Sequence, residues 1–439
     1  MSARTKVIIG LVIGAAVVVM LTVVLAAAGG FLYYRLQSRV QMEHAMRAEK
    51  EAELARHAAM VLAAEERAKD ESFRLVAAAG AAETPAPIAA PAAVTADARP
   101  LAERRKEAMA RGAEFLLKQQ AEDGSWGKGN VGITALVTDA LVAAGKTVKD
   151  PPVRKAVDYL LKAQKDDGGI YDDVGLKTYS TSISLVVLVE TDAKASAAAI
   201  EKAKDWLIKN QWDEGESIDR ANPWYGGHGY GKHERPDLSN TQYFVEAMHR
   251  ANVPKDNPVW AKVVVFLSRS QDRSESNDNT FVGTDSGGFI YSPNKGGESA
   301  AGTVDLPDGR KGLKAYGSMT YAGFKSFIYA DLKRDDPRVQ AALEWIRKHW
   351  TFDENPELDQ QGLYYYYQTA AKALKAWNED KVMDSRRRSH DWREELSQAI
   401  LSRQLPDGSW INKAERWYEG EQMAPVPTSY AITALAECQ

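Results

Sequence analysis

The phrase "FLLKQQAEDGSWG" (Phe115–Gly127) returns near the far end of the chain as "ILSRQLPDGSWI" (Ile400–Ile411). Each runs an apolar helical stretch into Gln and then Asp-Gly-Ser-Trp. Aligned on that glutamine, the phrase recurs as "YLLKAQKDDGGI" (Tyr159–Ile170), "WLIKNQWDEGES" (Trp206–Ser217) and "VFLSRSQDRSES" (Val265–Ser276). A weaker copy, "EWIRKHWTFDEN", has Trp350 in the Gln place. Self-similarity at intervals of some tens of residues is the mark of a repeat architecture, in which no unit buries its apolar face alone.

Every copy is followed by a second helical phrase. These are "TALVTDAL" (Thr134), "TSISLVVL" (Thr181), "TQYFVEAM" (Thr241), "TYAGFKSF" (Thr320), "YQTAAKAL" (Tyr367) and "TSYAITAL" (Thr428). The second phrases are poor in charge and apolar almost all round, which predicts burial. The first carry a charged face, as in "VRKAVDYLLKAQKDD", which predicts an amphipathic cover. Six helix–loop–helix units with that asymmetry predict an all-α (α/α)6 toroid, an inner barrel of six helices inside an outer six. An open solenoid is the alternative. The near-identical first and last phrases favour closure, because solenoid ends usually become atypical caps.

The repeats occupy residues 99–439, and composition changes sharply before them. Val7–Tyr34 carries no charge, which is long enough for a transmembrane helix. A cleaved signal peptide is the alternative, with "AAAGG" as its cleavage site. Residues 1–34 are therefore expected to anchor a single-pass membrane protein, with the side of the membrane left open by the flanking basic residues. Residues 35–76, charged and Ala-rich without Gly or Pro, predict a helical stalk. Residues 77–98, rich in Ala and Pro, predict a linker. The net charge of −4 gives no basic footprint for nucleic acid. The lone Cys438 excludes an internal disulfide and a cysteine-based zinc cluster.

The Gln…Gly-x-Trp phrase resembles the QW motif of squalene and oxidosqualene cyclases. The paired-helix repeats are similar to the α/α toroid that those cyclases share with protein prenyltransferase β subunits. That resemblance implies a central cavity for an isoprenoid, and QW motifs that tie helices together. The residues agree on the second point: neither Gln nor Trp has a proton-transfer role, while Gln can bridge helix ends, Asp-Gly makes a turn and Trp covers the junction.

Chemistry is expected instead at the starts of the second helices. Thr134, Thr181, Thr241, Thr320, Tyr367 and Thr428 are equivalent, and in a closed barrel they form a ring of hydroxyls around the cavity. Helix capping is the competing role. In the third unit "DLSNT" (Asp237–Thr241) resembles the Asp-x-Asp-Asp-Thr motif of squalene–hopene cyclases. Ser239 stands where that family has its proton-donating Asp, and Asn240 replaces the next acid. The zinc-ligand positions implied by the prenyltransferase likeness hold Tyr364, Tyr366 and Pro427, none a normal zinc ligand. No metal or cofactor is therefore expected.

The remaining catalytic candidates are Asp237, Asp285 and His228. His228 and His233 together with Asp237 also form a weak metal-site candidate. Asp285 competes with a turn-making role. Ser239, Asn240, Tyr321, Tyr364, Tyr366 and Tyr367 join the threonines as expected cavity lining. Aromatic residues at Trp224, Tyr225, Tyr316, Tyr365 and Trp417 crowd the same helix starts, where they can face a ligand or fill the core. Asp139 and Glu246 oppose Lys325 and Lys372 at equivalent second-helix positions, which predicts interhelical ion pairs. Three functions remain: a membrane-tethered binder of a hydrophobic, isoprenoid-type ligand, a terpenoid-type enzyme with altered chemistry, or a scaffold for protein partners.

Overall fold

The computed structural model describes residues 99–439 apart from 174–175, 232–233, 279–280 and 415–418. The expected anchor, stalk and linker, and the side chains of His233 and Trp417, lie outside the described residues. Among those described, no helix is long and apolar enough to cross a membrane.

Twelve α-helices form six hairpins among the described residues. The first helices of the hairpins are α1 (Leu101–Leu117), α3 (Pro151–Lys162), α5 (Ala197–Lys209), α7 (Pro258–Ser270), α9 (Pro337–Lys348) and α11 (Trp392–Leu401). The second helices are α2 (Val131–Ala143), α4 (Lys177–Asp192), α6 (Leu238–Arg250), α8 (Gly317–Tyr329), α10 (Leu363–Trp377) and α12 (Pro425–Glu437). The odd helices bury one stripe, as α3 does with Val153, Ala156, Val157 and Leu160, except that the last turns of α7, Val265–Ser270, are buried all round. The even helices are wrapped on all sides, and α8 is buried continuously from Gly317 to Phe327. Prolines open α3, α7, α9 and α12, where a missing N–H costs nothing.

The even helices pack in cyclic order: α2 on α4, α4 on α6, α6 on α8, α8 on α10, α10 on α12, and α12 back on α2. Helix α1 packs against α11 and α12, so the outer layer closes as well. The structure is the closed toroid and not the open solenoid.

The repeated phrase makes the joints. Gln120 Nε2 donates to Gly124 O at 3.0 Å in its own loop and to Pro152 O at 2.9 Å in the next outer helix. Gln164 bridges Gly168 O and Ala199 O, Gln211 bridges Gly226 O and Val259 O, and Gln271 bridges Gly287 O and Arg338 O. The last, Gln404, bonds Gly408 O at 2.9 Å and Ala108 O at 2.8 Å, tying the sixth unit to the first. In the fifth unit Trp350 replaces the amide and reaches forward to Glu395 Oε2 on α11 at 2.9 Å. Trp126 and Trp410 each return an indole N–H to the end of their own outer helix, at Leu116 O and Ile400 O.

Two short antiparallel hairpins were not legible in the repeats. They pair β1 (Thr303–Asp305) with β2 (Lys311–Leu313), and β3 (Lys381–Met383) with β4 (Ser389–Asp391). Both lie in the connections between helices and leave the toroid order unchanged.

Candidate functional site

A cavity of about 760 Å³ opens among the N-terminal turns of the even helices and the loops that precede them. Its lining is mainly apolar and aromatic, with Ile133, Leu176, Met319 and Val426 beside a set of tyrosines. This size suits a small-molecule site.

The expected ring of hydroxyls exists but does not face this space. Thr134 Oγ1 accepts from Trp126 N at 3.0 Å, and Thr181, Thr241, Thr320 and Thr428 accept in the same way from Ile170, His228, Phe289 and Trp410. In the fifth unit Tyr367 donates to Phe352 O at 2.7 Å. These side chains latch each inner helix to its own loop. Nor are the threonines caps: each sits three or four residues inside its helix, and Thr134, Thr241 and Thr320 also donate to the carbonyl four residues back. The lining assigned to them, and to Tyr321, Tyr364, Tyr366 and Tyr367, is corrected on these contacts. Tyr366 is bonded to Thr351 O in the wall, Tyr321 packs edge-on against Tyr366, and Tyr364 points to Ile411 O.

The reason is helical phase. With 3.6 residues per turn, positions two before and two after the latch are turned about 200° from it. Tyr179, Ser239, Ser318, Tyr365 and Val426 stand two before their latch residues, and Tyr243 and Tyr430 two after; all of them line the cavity. Of the expected lining residues, Ser239 and Asn240 do so. Tyr179, Tyr243 and Tyr430 were missed, and counting two places from each threonine would have found them.

Tyr179, Tyr243, Tyr365 and Tyr430 come from four different inner helices and form an aromatic floor. Tyr179 meets Tyr243 edge-on at 4.8 Å, Tyr365 meets Tyr430 at 5.8 Å, and the Tyr179 and Tyr430 hydroxyls are 3.3 Å apart. Burial pushes the Tyr179 phenol up to about 12 and holds the other three above their usual range. All four are neutral hydroxyls at ordinary pH.

Beneath the floor, deeper along the even helices, lies a buried ionic plug. Glu246 Oε2 accepts from Lys325 Nζ at 2.5 Å and Oε1 from Lys372 Nζ at 2.5 Å, while Lys325 also donates to Gln242 Oε1 at 2.6 Å. Burial alone would raise the Glu246 carboxyl, but the two ammonium groups outweigh it and hold it well below the usual carboxylate range. Asp139 is raised by burial and shares a void of about 10 Å³ with Glu246 and Lys372. Of the interhelical ion pairs expected from sequence, those of Glu246 with Lys325 and Lys372 are present, while Asp139 lies beside Lys372 without forming one.

The three catalytic candidates are not brought together in the cavity. Asp285 is exposed, at φ +58°, with its carboxylate accepting from Ser274 N at 2.8 Å, so it ties two stretches of the fourth loop together. His228 is 1% exposed and occupies the slot that Trp126 and Trp410 fill in other units. Its ring lies 4.1 Å from Phe244 and neither ring nitrogen has a partner. Burial pulls its pKa down to about 3. The folded state therefore resists protonation that the unfolded chain accepts, so this residue costs stability as pH falls from about 6.5 towards 3. His228→Phe is expected to be the more stable protein, by a margin that widens across that window in paired denaturant titrations; a constant gap would contradict the assignment.

Asp237 caps α6. Its Oδ1 accepts from Asn240 N at 2.8 Å and its Oδ2 from Asn240 Nδ2 at 2.9 Å. Burial raises its pKa to about 6 against those hydrogen bonds. It stands behind the cavity wall, while Asn240 and Ser239 face the cavity. The Ser239 hydroxyl pairs with Tyr365 OH at 3.0 Å. Among the described residues no group of His, Cys, Asp and Glu is arranged to hold a metal ion. A further buried acid, Glu419, was not foreseen. It accepts from Tyr365 N at 2.8 Å and Asn412 Nδ2 at 2.7 Å, seating a carboxylate on the start of α10, and burial raises it to about 7.

The squalene–hopene cyclase C-terminal domain model matches residues 127–292, which include the third-unit joint and "DLSNT". A squalene–hopene cyclase of Zymomonas mobilis is 27% identical over 135 residues, covering 25% of this chain and 20% of that enzyme. The match thus spans about a fifth of that relative's length. Among solved structures, the type II terpene cyclase MstE from Scytonema has a TM-score of 0.48 at 12% identity, covering 77% of this chain and 98% of that one. A family 76 glycoside hydrolase from Bacteroides thetaiotaomicron also has a TM-score of 0.48, at 10% identity, covering 76% of this chain and 77% of that one. The chain is thus a squalene-cyclase-like toroid of repeated helical hairpins, with its family likeness seated in residues 127–292.

Proposed function

We propose that the protein holds a hydrophobic, isoprenoid-type ligand in the central cavity. The observation that carries the reading is the cavity itself, about 760 Å³ of mainly apolar and aromatic lining at the heart of a squalene-cyclase-like fold. Neutral tyrosines offer flat apolar faces with a polar edge, which suits an unsaturated chain carrying few polar atoms. The expected anchor in residues 7–34 belongs to the same reading: it tethers the cavity to the membrane in which such ligands dissolve.

Squalene cyclisation and protein prenylation are not the reactions of this reading. Where the cyclase-like frame calls for a strong acid at the cavity, Ser239 presents a hydroxyl already engaged with Tyr365. Protonating an isolated alkene needs far more acidity than a hydroxyl supplies. At the zinc-ligand positions implied by the prenyltransferase likeness, Tyr364 and Tyr366 are bonded within the wall.

The test uses the full chain in detergent, exposed to a membrane lipid extract and re-isolated, with bound lipid identified by mass spectrometry. A retained polyprenyl or squalene-like lipid, displaced by Tyr243→Trp narrowing the cavity, is the expected result. An empty cavity after exposure to the extract would sink the reading and leave a scaffold for protein partners in its place.

A further inference from the structure

One polar atom in the cavity wall is unspent. Asn240 is 2% exposed and lines the cavity. Asp237 fixes its amide from behind, because the ionised carboxylate accepts both Asn240 N and Asn240 Nδ2. With Nδ2 committed to the acid, Oδ1 is the end left over, and it has no hydrogen-bond partner. A buried carbonyl oxygen without a partner is costly, and such atoms in native proteins call for an explanation.

The surroundings say what kind of group answers it. Close by in the lining, the Tyr230 and Tyr291 hydroxyls pair at 3.2 Å, and the Ser239 and Tyr365 hydroxyls pair at 3.0 Å. Each pair is neutral and offers both a donor and an acceptor. Asp237 is fully buried behind the wall, so its carboxylate is not offered to a cation in the cavity; of the carboxylates in the lining, Glu298 is paired with Arg235 and Asp172 accepts from Val131 N. A fully charged head group would also have to shed its water into an apolar space.

We infer that the cavity selects an amphiphile with a neutral hydroxyl head, an isoprenoid alcohol, whose O–H donates to Asn240 Oδ1 while its chain lies against the tyrosine floor. This deepens the proposed function and rests on it. Asn240 reads the ligand's head, and Asp237 is the positioning residue that keeps the amide oxygen turned inward. "DLSNT" then serves recognition: the residues nearest the cavity are a hydroxyl and an amide, suited to a polar head and not to making a carbocation.

The experiment measures affinity of the full chain for geranylgeraniol, its methyl ether and geranylgeranylamine, by competition against a fluorescent prenyl probe. The ether keeps the chain and the oxygen and puts a methyl group in place of the donor hydrogen; the Asn240→Leu comparison separates the lost donor from the added methyl. A donor made or lost at a buried acceptor is worth about 1–3 kcal/mol, so the alcohol should bind roughly 5–150-fold more tightly than the ether. Asn240→Leu should bring the alcohol down to the ether's affinity and leave the ether's unchanged or improved, which also shows that the variant is folded. Should that variant fail to fold, the ratio in the unaltered protein decides alone. Equal binding of alcohol and ether, or tighter binding of the amine, overturns the inference and leaves the lipid-binding reading standing. Binding of none of the three ends both.

Discussion

Glu246→Ala is expected to lower the stability of the toroid by about 3–5 kcal/mol, measured by denaturant unfolding. The reason is what it leaves behind. Lys325 and Lys372 are 1% and 6% exposed, both bond this one carboxylate, and the substitution strands two ammonium groups in the barrel. Lys325 keeps Gln242 Oε1, and Lys372 keeps the neighbourhood of Asp139. Neither supplies the charge that was removed. Stranded lysines favour their neutral form, so the folded-state pKa falls and the loss grows as pH drops; raising the pH should recover part of the stability. The triple variant Glu246→Leu, Lys325→Met, Lys372→Met removes all three charges and should lie near the parent, because a buried ion network gains little over apolar packing. A triple variant as unstable as Glu246→Ala would show that the plug stabilises the barrel through shape or hydrogen bonding and not through charge balance.

Gly226→Ala tests the joints. At Gly226, φ is +85°, and an added Cβ would stand 1.9 Å from Lys262 O in the next outer helix. The same approach recurs at Gly124 against Lys155 O, Gly168 against Lys202 O, Gly287 against Ala341 O and Gly408 against Arg111 O. The obstacle is backbone in each case, so no side-chain rotation relieves it. Positive φ costs about 1–2 kcal/mol for a residue with a Cβ, and overpacking adds about 1–3 kcal/mol. A loss of about 2–5 kcal/mol is expected at Gly226. Gly145 is the control: its φ is +89°, but nothing lies within 4 Å of the added Cβ. Gly145→Ala should therefore show the conformational cost alone. If the two variants lose the same amount, the close approach between units is not what these glycines serve.

The joints were the most legible part of the chain because they repeat. Gln120, Gln164, Gln211, Gln271 and Gln404 recur in one frame with a positive-φ glycine behind each, and every one makes the same two bonds. A geometric problem solved the same way in each unit leaves a pattern in the sequence. The ionic plug was legible for a related reason: opposite charges at matched depths on buried helices have few ways to exist except paired. His228 shows the limit. It stands in a tryptophan slot, which the alignment could suggest, but its lack of any partner is a property of the packed interior.

The cavity was legible in place and not in face. The sequence singled out the first turns of the even helices, and the cavity is there. It also singled out the most regular residue in each, the threonine, and regularity turned out to mark the latch to the loop. Ligand-facing positions are free to differ between units: Tyr179, Ser239, Ser318, Tyr365 and Val426 share a position and not a side-chain type.

The order of helices, their division into inner and outer layers, and the joints between units follow from the sequence alone, since each rests on local periodicity repeated along the chain. Which face of each inner helix meets the axis, which tyrosines meet across the floor, and which end of Asn240 is left to a ligand were decided by the tertiary structure. Those features depend on the rotation of each helix about its own axis. That rotation is set when Thr134 and its equivalents bond their loops and the ring closes through Gln404, which no single repeat specifies by itself.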